Sequence, residues 1–169
     1  TIGGALASGG AVALSHGRIV TILSAGNDSG KSFTVVGTDV NGAAQTESIT
    51  GANAGTATGT VFFLTIASIT AVGNPAGNVS AGVNASAADV IFAGRSRLKG
   101  IFLTSTATAG TVDFLKNSPT GTSILGLSSV GDADATRDVV IPDEGVLFVD
   151  GIYIEYTVST FLTMTVFHA

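Results

Sequence analysis

The chain has 169 residues, a net charge of −5, 45% apolar residues, 11% charged residues and 23 glycines, against about a quarter charged in a typical globular chain. That length permits one domain or two small ones with enough core to fold without staples. It holds no Cys, which excludes disulfides and thiolate metal sites, and its acidic balance argues against a general nucleic-acid binder.

Residues 1–17 are Gly, Ala, Ser and a few aliphatics with little periodicity, and they predict a short extended arm that orders where something holds it. Thr1–Leu6 carries no basic residue of the kind that opens a signal peptide. Ile19–Ser24 then alternates as a strand, and Ser24–Gly30 has the Gly and Asn of a turn. Ser32–Thr38 reads as the return strand, Asp39–Gly42 as a turn and Ala43–Thr50 as the next strand. A small-residue loop over Gly51–Gly59 leads into the long β run Thr60–Ala71. Gly73–Gly77 turns it, and Asn78–Val83 closes the module.

From Ser48 to Ala88 there is no charged residue at all. Its longest apolar run, Val61–Ile66, is far short of the roughly 20 residues of a spanning helix. A solvated strand face normally carries charge, so this stretch needs a covering surface.

The Ala-rich segment Asn84–Asp89 reads as a soft boundary, dividing a first β module (18–88) from a second (89–169). The first 88 residues hold three acids and two bases, and the remainder nine acids and five bases. Strands are predicted at Leu98–Thr104, Thr111–Leu115, Ser123–Leu127, Arg137–Ile141, Gly151–Thr157 and Leu162–Phe167. Turns are predicted at Pro119–Gly121 and Pro142–Gly145. No apolar 3.6-residue period persists for three turns, so no helix is expected. The fold class is all-β, with antiparallel β-sandwich or jelly-roll-like modules behind the arm.

Candidate chemistry is sparse. Ala25–Ser32 matches a relaxed phosphate-loop pattern, but the Lys31-Ser32 pair leads into a β-branched strand where that motif needs a helix start. Asp132, Asp134 and Asp138 lack the central Gly and terminal Glu of a calcium loop. His16 and His168 stand near opposite ends of the chain, and no nucleophile elbow is present. No catalytic, cofactor or metal residue is assigned, and no enzyme activity is expected. Arg95, Arg97 and Lys99 alternate, so a strand would project them from one face as a partner contact. On a solvated edge strand the same charges would instead block unwanted pairing, and that use is the commoner one.

Two lines of sequence resemble small β-rich virion proteins of tailed bacteriophages. One is Phe33–Gly51 with Asn53–Thr56 and Phe63–Thr70. The other is Leu98–Ser105, Ala109–Val112, Ile141-Pro142, Glu144–Phe148 and Asp150–Ile154. The resemblance covers about three quarters of the chain and rests on Gly/Thr patterns, with no catalytic signature. It implies a capsid decoration (cement) protein on the virion surface. Its partners would be the major capsid protein and copies of itself, with a trimer favoured, and neither nucleic acid nor membrane. The alternatives are a tail, neck or head-fibre component, or a carbohydrate- or receptor-binding β module. With no Trp, and only Tyr153 and Tyr156 as Tyr, the last is weakened.

Overall fold

The computed structural model describes residues 2–3 and 11–169. Every regular element among them is a strand. The chain divides into two units, residues 1–84 and 85–169.

The first unit holds β1 (Ile2–Gly3), β2 (Val12–Ser24), β3 (Ser32–Thr38), β4 (Ala44–Thr50), β5 (Thr56–Val72) and the start of β6 (Val79–Phe92). Their order is β4-β3-β5-β2-β6, with β1 parallel to β6 through Ile2↔Val79. The predicted arm lies mainly outside the described residues, but from Val12 onward the chain is already strand, pairing Val12 with Ile66. The reason is that β2 alternates half-buried Val12 and Leu14 with exposed Ala13 and Ser15, a two-residue period blurred by small side chains.

β5 organises this unit. Its first half pairs with β2 and its second half with β3. Val20, Ile22, Phe33, Val35, Ile49, Phe63 and Ile66 form the core between these strands. Close backbone approach is built in at Gly37, where an added Cβ would lie 1.9 Å from the Thr65 carbonyl oxygen. Only glycine fits that position.

The division between the units, Asn84 to Ala85, falls inside the segment expected as a soft boundary, and that segment is itself the interior of β6. Ala87 and Ala88 are fully buried there, so their small size is a packing fit in a strand.

In the second unit, the remainder of β6 joins β12 (Ile152–Thr157), β8 (Gly110–Lys116) and β9 (Ser123–Ser129) in that order. A second sheet centres on β7 (Ser96–Ser105). β13 (Phe161–His168) lies on one side of it, and β10 (Thr136–Val140) and β11 (Val146–Phe148) succeed each other on the opposite side. Leu98, Ile101 and Leu103 of β7 share one buried core with Val112, Phe114, Ile152 and Ile154 from the first sheet. Two sheets closing on a common apolar interior is consistent with the expected sandwich packing. The Pro142–Gly145 turn forms as expected, with Gly145 N–H donating to the Pro142 carbonyl at 3.2 Å. The Pro119–Gly121 turn also forms, closed by Gly121 N–H on the Ser118 carbonyl at 3.0 Å.

Candidate contact surface

Arg95, Arg97 and Lys99 fall on and just before β7, which has partners on both sides and is therefore no edge strand. Ser96 and Leu98 point inward between them. Arg95 is exposed in the bend that precedes the strand. Arg97 reaches the turn before β11, pairing with Glu144 at 3.0 Å and donating to the Gly145 carbonyl at 3.4 Å. Lys99 Nζ donates to the Asp143 carbonyl at 3.0 Å in the same turn. Two of the three cations are thus committed to holding a neighbouring turn. Glu144 is 80% exposed, so the ion pair is worth under about 1 kcal/mol.

Beside these charges the outer face of the same sheet carries an apolar cluster, with Asp138 and threonines around it. Directly opposed residues on paired strands point to one face. Phe102 is opposed by Thr165 and Asp138, Gly100 by Phe167 and Val140, and Arg97 by Leu147. Phe167 and Val140 are 52% and 76% exposed, and Phe102 and Leu147 are open to solvent as well. The Phe167 ring covers Gly100, where an added Cβ would meet it at 3.6 Å. Sequence alternation alone misses this face, because both Leu98 and Ile101 are buried and the inward set therefore shifts by one residue around Gly100.

The phosphate-loop-like segment is a structural junction. Lys31-Ser32 runs straight into β3 with no helix. Asp28 is fully buried, and its Oδ1 accepts from Ala76 N–H at 2.7 Å. Its own N–H donates to the Ala52 carbonyl at 2.9 Å, and Asn27 bridges to Asn53. One residue therefore ties the β2–β3, β4–β5 and β5–β6 loops together. An anionic side chain at that centre disfavours a phosphate.

Asp132 and Asp134 lie in the loop between β9 and β10, while Asp138 is on β10. Among the described residues no three His, Cys, Asp or Glu side chains are grouped to hold a metal ion. His16 lies in β2, and His168 ends β13 with Nδ1 3.2 Å from Ser96 Oγ and its ring 5.4 Å from that of Phe92.

A different carboxylate is electrostatically strained. Glu155 on β12 stands opposite Asp113 on β8. Burial, and then the Asp113 charge, push the Glu155 carboxyl above the usual carboxylate range, against a hydrogen bond from Ser86 that lowers it. Asp113 also accepts from Ser123 Oγ at 2.8 Å.

No family model, no curated protein and no solved structure matches this chain.

Proposed function

We propose that this chain is a non-enzymatic structural component of a bacteriophage virion. In this reading it is a capsid decoration protein that binds the outer lattice of the major capsid protein, self-associates, and stabilises the shell. The observation that carries the reading is the outward apolar face of Phe102, Val140, Leu147 and Phe167 on a rigid β sheet. Exposed apolar surface clustered on a regular element favours a covering partner. On a symmetric lattice, weak contacts of this kind add through multivalency.

Arg95 is the cation of its group left exposed in a bend, and in this reading it is the one available for a polar contact with the partner. Arg97 and Lys99 act through the turn they hold. The resemblance to phage virion proteins supports the same assignment. So does the charge-free span Ser48–Ala88, which reads as material for an assembly.

The test is the copy number of this protein relative to the major capsid protein in purified particles. A number comparable to the capsid protein establishes lattice decoration. A handful per particle moves the protein to the tail or neck, and absence from particles overturns the virion assignment.

A further inference from the structure

We propose that the edge of β13 left open among the described residues pairs with β13 of a second copy across a two-fold axis, extending the β7 sheet into a continuous sheet of two chains. An open sheet edge presents a row of unpaired N–H and C=O groups, and natural proteins block it with charges, prolines or bulges. The edges of the second unit differ in this respect. β10 carries Arg137 and Asp138, and β9 has Gly126 at its middle, which weakens a strand. β13 has neither Lys, Arg, Asp, Glu nor Pro, and β7 is the strand it pairs with. Its register shifts fall at its two ends, between Phe161 and Thr163 and between Phe167 and His168. Thr163–Phe167 is left as a regular, uncharged ribbon bordered by the exposed side chains of Leu162 and Phe167.

The sequence of that ribbon is self-complementary. A two-fold axis normal to the sheet keeps each strand's faces aligned, and opposed residues must share a face. The axis must therefore pass beside a residue, and Thr165 is the middle of Thr163–Phe167. Met164 then opposes the partner's Val166 on the core side, continuing the buried layer to which both contribute. On the outer side Thr165 opposes its own copy, and Thr163 opposes the partner's Phe167. Thr–Thr and aromatic–β-branched pairs are among the stabilising cross-strand combinations. The exposed faces around Phe102 and Phe167 of the two copies also become contiguous, since Phe102 neighbours Thr165.

This inference deepens the self-association in the proposed function, and it is tested in solution without particles, so either can fail alone. Thr165 is exposed, which lets the fold accept a charge there. Wild-type protein should sediment at twice its 16.7 kDa mass at high concentration. Thr165→Lys alone and Thr165→Glu alone each place like charges opposite one another at the axis, and each should associate about tenfold more weakly or worse. Mixing the two variants in equal amounts should restore the two-copy species. Amides within Thr163–Phe167 of the wild type should also exchange more slowly as concentration rises. A wild type that stays monomeric, a three-copy species, variants that keep the wild-type mass, a mixture that fails to reassociate, or concentration-independent exchange would each overturn the pairing.

Discussion

Glu47 should be worth more to this fold than its half-exposed position suggests. It sits on β4, yet its Oε1 accepts hydrogen bonds from the Thr60 N–H at 2.6 Å and the Thr60 hydroxyl at 2.9 Å, on β5. The order β4-β3-β5 places those strands two apart, so the sheet must curl for this side chain to reach. The target is the irregular stretch of β5 where Ile19 pairs with Phe62 but Thr21 pairs with Thr58. Such a bulge leaves backbone groups outside the ladder, and Glu47 satisfies one of them. Gln45 does the same for the Phe62 carbonyl, donating at 2.8 Å. Hydrogen bonds to a charged group contribute roughly 1.5–3 kcal/mol net when buried, and partial exposure here reduces that to about 2 kcal/mol for both together. Glu47→Ala should therefore lower the melting temperature by about 4–8 °C if the chain unfolds as one, and about twice that if the first unit melts alone.

A second substitution sharpens the test. A Cβ added at Gly59 would lie 2.4 Å from Glu47 Oε2. Gly59→Ala should destabilise the wild type but cost much less once Glu47 is alanine, giving a non-additive cycle. Calorimetry or urea melts of the four proteins decide it. Additivity within about 0.5 kcal/mol, or a Glu47→Ala loss below that, refutes the bulge-patching role.

Asp28→Ala should lower the urea midpoint by the equivalent of about 2 kcal/mol, with Asp28→Asn milder because it keeps the acceptor for Ala76 N–H. Equal effects would show that charge, and not the shared acceptor, holds the three loops. Glu155 sets a pH dependence. Its folded carboxyl keeps its proton to higher pH than the unfolded chain does, so its stability term is full below the ordinary carboxylate range and is lost as pH rises through the raised folded value. Glu155→Gln should match or trail the wild type in acid and exceed it at neutral pH by denaturant melts. A constant difference across pH would remove Glu155 as the titrating group.

Much of the fold was legible because β structure here is punctuated by unambiguous turns. Asp39–Gly42, Pro142–Gly145 and the Ser32–Thr38 strand follow from local chemistry, and the charge-free span became parts of β4, β5 and β6. Legibility failed where small residues erase the two-residue period. Val12–Gly17 read as arm yet is strand, because Ala, Ser and Gly carry no contrast between inward and outward positions. Asn84–Asp89 read as a boundary, and the two units do divide there, between Asn84 and Ala85, although the same residues also continue β6. β11 was missed because three residues, Val146–Phe148, are too few to show alternation. The basic triplet was legible as an alternating strand but not as a turn clamp. Its partners Asp143 and Glu144 are distant in sequence, and only the register of β11 against β7 brings them near. The apolar outer face was hidden for a related reason, since the shift around Gly100 reverses the faces halfway along β7.

The way charge is used explains what kind of contact this surface can make. With Arg97 and Lys99 holding the Asp143-Glu144 turn, the outer sheet face is left mainly to Phe102, Val140, Leu147, Phe167 and threonines, with Asp138 as a lone acid beside Phe102. An interface led by paired charges weakens as salt screens it, with a Debye length near 10 Å at about 0.1 M. One led by apolar burial instead strengthens in excluded salts such as sulfate. Particle binding by this face should therefore persist or tighten as sodium sulfate is raised, read by pelleting with particles. Weakening in step with ionic strength would return the contact to Arg95 and its neighbours. It would also make the apolar face a bystander.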